Sequence, residues 1–306
     1  MNARVRGFLY GVATSVTFGL IPLFTLPLMR VGLASDSILF YRFLVATAAL
    51  GLMMFMKKES FKVCWRDLLV IVPLAASYSV SSMFLIYGYE VMGSGVATTL
   101  HFTYPVFVTL LMFVLFRERA SWVTWTAVVL AICGVAKLSL NGVKLHLPVV
   151  AVGMVLLSAL GYATYIIVVN KSRVKDMHSR KLAFYVFVFT TLMFAVKDFT
   201  GKGLQPLPDA VSVVNVILLA VAPTVISNIT LLLAVRDIGG TLTSILGALE
   251  PVTAVCIGVL LFSEAFAVGE AIGIMLILIA VVLIILNRSI TENLTVLSKR
   301  IRPRHP

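Results

Sequence analysis

Three ionisable side chains lie deep inside apolar stretches of this sequence, where their chemistry could serve a function. Glu250 lies in the middle of residues 240–262, while Arg42 and His101 each lie four residues from the centre of their stretch. An ionised group in a bilayer core costs roughly 3 kcal/mol on insertion scales, so such groups face a partner or a water-filled cavity. We therefore expect Glu250 to bind substrate or carry a proton, and we take His101 as the second candidate for proton coupling because imidazole titrates near neutral pH.

Each of these residues also has a structural explanation. Glu250 could be hydrogen-bonded to Asn228 and merely specify packing. His101 could be a satisfied packing residue in an apolar helix. Arg42 could bind a substrate carboxylate or pair with Glu250, but we expect its side chain to extend toward the outer headgroups, where Asp36 could help.

Polar and aromatic side chains recur at three- and four-residue steps in further stretches. In residues 67–89 and 210–235, small polar side chains fall largely on one side, which predicts either a cavity lining or hydrogen bonds between helices. In residues 7–29 and 148–170, aromatic side chains could supply cavity walls or simply belong to the core. The predicted substrate-binding residues are Glu250, His101, Tyr104, Tyr78, Ser82, Asn228, Ser227, Phe18, Tyr162 and Tyr165.

The stretches that hold these residues form two copies of one pattern. Tyr104-Pro105 recurs 146 residues later as Glu250-Pro251. Each proline removes one helical hydrogen bond, so both helices are expected to bend and present a free carbonyl at mid-membrane. Such duplication indicates two related halves.

A glutamate follows the same apolar stretch in each copy, as residues 116–118 recur at 262–264. We expect Glu118 and Glu264 to cap the helices that follow them, because a carboxylate is favourable at a helix N-terminus. The Gly-x-x-x-Gly spacing at 269–273 favours close helix packing but fixes no oligomeric state.

The composition is that of an integral membrane protein. The chain is 60% hydrophobic and 12% charged with a mean hydropathy of +1.05, against about a quarter charged residues in soluble domains. Because a span needs about 20 apolar residues, we predict an all-α membrane protein with ten transmembrane helices. The predicted spans are 7–29, 36–56, 67–89, 94–116, 121–139, 148–170, 182–198, 210–235, 240–262 and 268–287. Residues 1–20 begin like a secretory signal, but the apolar run continues without a clear cleavage site and is taken as span one.

The placement of basic residues predicts the orientation of the chain. With both termini cytoplasmic, 19 of the 25 Lys and Arg residues lie in inner segments and 5 in outer ones, with Arg42 inside a span. Five spans per half is an odd number, so the second half enters the membrane inverted. The predicted units are a first repeat at 1–142, a second repeat at 143–287 and a cytoplasmic basic tail at 288–306.

Several kinds of chemistry have no support in the sequence. Cys64, Cys133 and Cys256 give neither a disulfide framework nor metal-ligand spacing. The net charge of +12 is explained by membrane orientation rather than by nucleic acid. No phosphate loop or nucleophile–base pair is evident. We therefore expect no cofactor, no metal, no nucleic-acid partner and no enzymatic activity.

The order and spacing of these motifs resemble the EamA-type branch of the drug/metabolite transporter superfamily. The resemblance rests on the two tandem repeats, on residues 41–43 and 249–252, and on the glutamate junctions at 116–121 and 262–267. It implies a ten-helix inverted-repeat fold in which spans one, three, four, six, eight and nine surround a central cavity while five and ten lie peripherally. It also implies export of amino acids, other small metabolites or drugs without ATP hydrolysis.

These observations favour a secondary active transporter that exports small metabolites such as amino acids by alternating access around a midplane cavity. The alternatives are a membrane-embedded enzyme or flippase acting on lipid or isoprenoid substrates, and a sensor or scaffold, for which the short loops leave little partner surface. We expect the chain to reside in the plasma (inner) membrane, where its partners are the lipid bilayer and a small-molecule substrate. A monomer is compatible with the sequence.

Overall fold

The computed structural model describes residues 3–117, 121–140, 148–201 and 203–301, and within these residues it contains helices and short connections but no strand. A 3-10 turn at Arg173–Asp176 and a π-helix at Val221–Ile226 accompany the α-helices. The α-helices are α1 Ala3–Gly19, α2 Ile21–Arg30, α3 Ser35–Met56, α4 Trp65–Met92, α5 Ser94–His101, α6 Tyr104–Phe116, α7 Trp122–Leu140, α8 Val149–Lys171, α9 Ser179–Thr200, α10 Ala210–Ala220, α11 Ser227–Leu246, α12 Leu249–Phe262 and α13 Val268–Ile301.

The helices have the length and composition of membrane spans. Among the described residues, eight helical stretches are long and apolar enough to cross a bilayer, and two shorter apolar helices lie at Trp122–Leu138 and Leu249–Phe262. Large apolar side chains such as Trp122, Phe199 and Leu260 are exposed, as expected for a surface that contacts lipid tails. The prediction of an all-helical integral membrane protein is confirmed, while the count of ten spans remains a prediction.

Both prolines of the repeated motif stand at the start of a helix that follows a break. α5 ends at His101 and α6 begins at Tyr104, so Pro105 lies in the first turn of α6. Pro251 likewise lies in the first turn of α12. At these positions a missing backbone N–H removes no intrahelical bond. Each expected bend is therefore a two-residue break that turn hydrogen bonds bridge, such as the one from the Glu250 N–H to the Gly247 carbonyl. Glu250 lies in the first turn of a new helix rather than inside a continuous one.

α11 differs from the prediction, because it continues through residues 236–239, which we expected to be a connector. Contacts with α1 show how the chain nevertheless reverses. The Thr14 hydroxyl donates to Thr230 Oγ1 at 2.7 Å, Gly7 lies against Asp237, and Gly19 lies against the first turn of α12. The chain thus runs toward the N-terminal end of α1 as far as Asp237 and then returns along it, so α11 bends in its last third.

Corresponding helices of the two halves pack against each other in antiparallel pairs. In the pair α3 and α9, the Ser37 hydroxyl donates to Asp198 Oδ1 at 3.1 Å near one end. Near the other end, a Cβ atom added at Gly51 would lie 3.1 Å from the Phe184 ring. The pair α7 with α13 is antiparallel as well. In addition, α5 packs with reversed direction against α12, the helix that follows its counterpart in the other half. Each pair therefore joins one half to the other with reversed chain direction.

The connectors between helices are also exchanged between the halves. The Tyr41 hydroxyl of α3 donates to the Gln205 carbonyl at 2.9 Å, and the Tyr185 hydroxyl of α9 donates to the Phe61 carbonyl. Both the tyrosines and the carbonyls are 144 residues apart in the sequence. Each half therefore binds the connector of the other half, residues 57–64 in the first half and residues 201–209 in the second. We call these two hydrogen bonds the reciprocal tyrosine contacts.

Two large clusters of buried apolar side chains form most of the core, beside a small one at Val108, Met112, Ala163 and Ile167. One lies between α3, α4 and α9, where the Phe43 ring stacks on Phe194 at 6.0 Å and tilts against Phe187 at 5.4 Å. The other joins residues of α5, α7 and α13. Both clusters mix residues of the two halves, so neither half buries its apolar faces alone.

Candidate functional site

A cavity of about 170 Å³ lies where the two halves meet. It is smaller than the roughly 300–1,000 Å³ of pockets for drug-sized ligands, so it suits a small metabolite. None of its described lining residues belongs to α7 or α13, the helices expected to be peripheral. The wall consists of Thr14, Ser15, Phe18, Ile21, Arg42, Tyr78, Ser81, Ser82, Leu85, His101, Tyr104, Tyr162, Leu231, Thr243, Gly247 and Glu250.

Glu250 lies in this wall within the first turn of α12. Its backbone N–H donates to the Gly247 carbonyl at 2.9 Å, whereas its carboxylate accepts no hydrogen bond from any residue that the structure describes. The alternative bond to Asn228 is absent, because the Asn228 amide donates to the carbonyl of Thr224 on its own helix. A half-buried carboxylate without a protein partner is available to a ligand, water or a proton.

His101 is the last residue of α5, and its orientation is fixed from α8. Its Nδ1 lies 2.9 Å from the Ser158 hydroxyl, and that hydroxyl donates its proton to the Ser81 carbonyl at 2.6 Å. Because a serine has one hydroxyl proton, Nδ1 must be the donor to Ser158. Nε2 is therefore the ring nitrogen that remains for the cavity, where neutral histidine presents a hydrogen-bond acceptor.

Aromatic rings form one continuous side of the cavity. Tyr162 is at the centre, with its ring centroid 4.8 Å from Tyr104, 5.5 Å from His101 and 6.3 Å from Tyr78. Tyr165 stacks behind Tyr162 at 6.0 Å without entering the wall. Such edge and offset contacts hold the rings in place and leave their faces for an apolar or aromatic group.

Arg42 does not extend to the headgroups, so that prediction is wrong. The residue is only 4% exposed, its Nε donates to Thr224 Oγ1 at 3.1 Å, and its guanidinium lies 5.3 Å from the Phe43 ring centroid. Asp36, the expected helper, instead pairs with Lys197 at 2.7 Å. The hydroxyl acceptor on the neighbouring helix turns the side chain inward.

A π-helix at Val221–Ile226 provides that acceptor. The Thr224 hydroxyl donates to the Leu219 carbonyl, five residues back, at 3.1 Å, so its oxygen is free to accept from Arg42. Pro223 has no backbone N–H and favours such an interruption of α-helical bonding. A single π-turn of this kind is frequent at functional sites.

The predicted polar stripes only partly face the cavity. Ser227 is fully buried, and its hydroxyl donates to the Pro223 carbonyl one helical turn earlier at 2.6 Å. Its hydroxyl proton is therefore used within its own segment. Ser158, which orients His101, was missed because a lone serine in an apolar helix carries no distinctive signal. Of the predicted residues, the wall contains Phe18, Tyr78, Ser82, His101, Tyr104, Tyr162 and Glu250, and it does not contain Ser227, Asn228 or Tyr165.

Glu264 is a cap, but not of the helix that follows it. Its Oε1 accepts from the Ser94 backbone N–H at 2.9 Å and from the Ser94 hydroxyl at 3.0 Å, so it caps α5 in the other half. The helix that follows, α13, is capped by Glu270, which accepts from the Ala267 N–H at 3.2 Å. The prediction that Glu264 caps a helix N-terminus is confirmed, but the capped helix is α5 and not α13. Glu118 lies outside the described residues.

A second cavity of about 330 Å³ lies at these caps, between α5, α12 and the start of α13. Although it is larger, its carboxylates, Glu264 and Glu270, already hold helix N-termini. The central cavity, whose Glu250 carboxylate has no partner among the described residues, is therefore the candidate site. Among the residues that the structure describes, no group of three or more His, Cys, Asp or Glu side chains could hold a metal ion.

Comparisons with known proteins agree with this architecture. The model of the EamA-like transporter family matches the chain twice, at residues 5–140 and 149–286. No curated protein matches the sequence. A crystal structure of another protein covers 98% of this chain and 100% of its own at a TM-score of 0.64 and 17% identity, so the two chains share a fold.

Proposed function

Because this chain belongs to the EamA-like transporter family, we propose that it is a secondary carrier that exports small metabolites, such as amino acids, by alternating access around the central cavity. The observation that carries the proposal is the cavity itself. Residues from both repeats enclose it, and it holds the Glu250 carboxylate, which has no hydrogen-bond partner in the described part of the chain. A polar group so placed within the membrane is typical of a substrate or ion path.

The proposed architecture is ten spans in two inverted repeats, at 1–142 and 143–287. The antiparallel pairing of α3 with α9 and of α7 with α13 supports it, because a two-fold axis that reverses chain direction lies in the membrane plane. With the eight longer apolar stretches, the two shorter apolar helices at Trp122–Leu138 and Leu249–Phe262 would complete the ten crossings. Similar halves with exchanged conformations expose one site to each side in turn.

Glu250 is the proposed coupling residue. It lies at a helix break, where free backbone groups and a bend allow local rearrangement. Protonation would remove its charge, and binding of a substrate amine would neutralise it. Either event changes the energetic cost of closing the cavity around it.

Flux measurements test the carrier and the role of Glu250. Purified protein in vesicles is loaded with a metabolite mixture, and efflux is measured with and without a pH gradient. We expect efflux that the gradient modulates, and loss of that modulation in Glu250→Gln. Glu90→Gln, which changes an exposed carboxylate outside the cavity wall, is the matched control. Unchanged flux and unchanged gradient dependence in Glu250→Gln would exclude Glu250 from the mechanism.

A comparison of cells addresses export in the living membrane. Three separate cultures are compared, namely cells without the protein, cells with it and cells with the Glu250→Gln variant. The secreted metabolites of each culture are measured. We expect a small set of compounds whose external level rises only with the unaltered protein. Accumulation inside the cells instead would contradict the proposed direction.

A further inference from the structure

The guanidinium of Arg42 is buried in the cavity wall with no counter-ion among the residues that the structure describes. Only 4% of the residue is exposed, and its ring contact is with Phe43. Within the described part of the chain, no carboxylate lies in ion-pair range of it, and the one acceptor it reaches is the Thr224 hydroxyl. Burying a charge without an opposite charge is costly, so a group that persists in this state is expected to meet an anion during function.

The contacts of Arg42 fix the direction in which it can bind. Its Nε is occupied by Thr224, and the guanidinium plane lies near the Phe43 ring. The donors on Nη1 and Nη2 have no partner among the residues that the structure describes, and the residue lines the cavity. Two parallel N–H donors match the two oxygens of a carboxylate.

We propose that Arg42 is the carboxylate-binding residue of the central cavity, and hence that the transported metabolites carry a carboxylate. The inference rests on the proposed carrier function and names its substrate class. The bound carboxylate would accept hydrogen bonds from the two Nη groups. It would supply the negative charge that the folded chain does not place beside Arg42.

The rest of the wall accommodates the remainder of such a molecule. The ring of Tyr78 lies next to Phe43 at 5.7 Å and begins the aromatic side that continues to Tyr162. Arg42 is the single Lys or Arg in the described wall, and Glu250 adds negative charge. This balance favours a monoanionic carboxylate over a phosphate dianion, and it favours a substrate that also carries an amine.

The second half confirms that the arginine is a local specialisation. Val186 occupies the position equivalent to Arg42, and Tyr78 occupies the position equivalent to Thr224. The second half therefore has neither the arginine nor the threonine that accepts its hydrogen bond. The anion site is present once in the duplicated fold.

The test compares molecules that differ only in the carboxylate. Vesicles containing the purified full chain are loaded with equal concentrations of the standard amino acids and of their amides, and efflux is followed by mass spectrometry. We expect the acids to leave faster than their amides by about 30-fold or more, the lower bound for removing one partner of a buried, hydrogen-bonded charge pair. Arg42→Gln should abolish this preference, and Arg42→Lys should keep part of it.

Arg30→Gln is the control, because Arg30 is an exposed arginine that contacts the Phe262 carbonyl and ring outside the cavity wall. It should preserve the preference for acids. Equal efflux of acids and amides, or a preference unchanged in a folded Arg42→Gln protein, would overturn the inference while leaving a working carrier. Flux of metabolites without carboxylates alone would overturn it as well. Absence of flux for every compound would instead overturn the proposed function.

Discussion

Carboxylates in this protein fall into two groups according to what they contact. Glu264, Glu270 and Asp209 each accept a hydrogen bond from the backbone at the start of a helix. Glu250 also lies at the start of a helix, but its carboxylate accepts no such bond from the described residues. Because a carboxylate at a helix N-terminus ordinarily caps it, the lack of a partner for Glu250 among the described residues supports its proposed role in binding a ligand or proton.

We expect Glu264 to contribute to the stability of the fold and not to take part in transport. It accepts bonds from both the backbone and the hydroxyl of Ser94, so Glu264→Ala should lower the free energy of unfolding by about 1–2 kcal/mol, the size of a strong N-cap. Denaturant unfolding in detergent measures it. Ser94→Ala combined with Glu264→Ala should cost less than the sum of the two single changes, because both remove one contact. Additive effects would show that the contact is not formed.

The pair of Glu59 and Arg180 should make stability depend on pH. The hydrogen bond from Arg180 lowers the pKa of the Glu59 carboxyl. A carboxyl whose folded pKa is lowered contributes stability above its unfolded pKa and loses it as the pH falls through the folded pKa. Glu59→Gln should therefore be less stable than the unaltered protein at neutral pH, with the difference vanishing in acid.

Arg180→Gln tests the same contact from the side of the donor. Removing the donor should produce the same loss at neutral pH and the same convergence in acid, since both variants lack one interaction. The midpoint of thermal unfolding measured across a pH series checks both. A constant gap between the variants and the unaltered protein at every pH would show that the contact does not depend on the Glu59 charge.

At the scale of elements, the reciprocal tyrosine contacts tie each connector to the opposite half. Tyr185→Phe removes the bond to the Phe61 carbonyl, and Tyr41→Phe removes the bond to Gln205. Each loss should cost about 1 kcal/mol. Backbone hydrogen exchange should then become faster in the half opposite to the substitution. The affected residues are 57–64 for Tyr185→Phe and 203–209 for Tyr41→Phe.

The exposed Tyr87 provides a control for this experiment, because Tyr87→Phe should leave both connectors unchanged. Faster exchange only in the half that carries the substitution would contradict the crossed arrangement. The expected pattern distinguishes these contacts from a general loss of stability, which would raise exchange in both connectors together.

Close packing of α7 on α13 depends on two glycines. A Cβ atom added at Gly273 would lie 2.7 Å from the Leu138 side chain, and one added at Gly134 would lie 2.9 Å from the Gly273 carbonyl oxygen. Gly273→Ala and Gly134→Ala should therefore destabilise the protein by about 1–3 kcal/mol through overpacking. Thermal unfolding in detergent checks this value. Gly153→Ala is the control, since nothing lies within 4 Å of its added Cβ, and it should be neutral or stabilising.

The elements were predictable where one local rule decides. Apolar length gave most of the spans, and Pro105 and Pro251 marked the breaks. The family resemblance is confirmed by the two matches to the family model. The rules failed where a distant contact decides. The expected connector at 236–239 is helical, because α1 supports the chain through its reversal there.

The same division applies to the site. Glu250 and His101 could be identified because ionisable groups are rare in apolar stretches. The direction of Arg42 could not be predicted, since it depends on the hydroxyl of Thr224 in a π-helix 182 residues away. The partner of Glu264 was equally hidden, because Ser94 belongs to the other half. The sequence pattern identifies which ionisable residues are energetically unfavourable in a membrane. The tertiary contacts decide which partner each of them binds.

For the whole molecule, ion pairs join the two halves at their ends, and apolar packing together with buried hydrogen bonds such as that of Arg42 to Thr224 joins them in between. Four ion pairs of the described residues connect one half with the other, namely Arg6–Asp237, Arg173–Asp67, Arg180–Glu59 and Lys197–Asp36. Exposed ion pairs are worth about 0–1 kcal/mol each. Contacts this weak could break and reform in the proposed alternating-access cycle, while the packed pairs α3 with α9 and α7 with α13 hold the molecule together.

The proposed inverted arrangement makes a sharp prediction about accessibility. Connectors 57–64 and 201–209 are equivalent in the two halves, so inversion places them on opposite sides of the membrane. With Cys133 and Cys256 replaced by alanine, the exposed Cys64 should react with a membrane-impermeant thiol reagent only from the cytoplasmic side. In a protein that also lacks Cys64, Pro208→Cys should react only from the outside. Labelling of both positions from one side would show that the halves are parallel, and the carrier mechanism built on their exchange would fail with them.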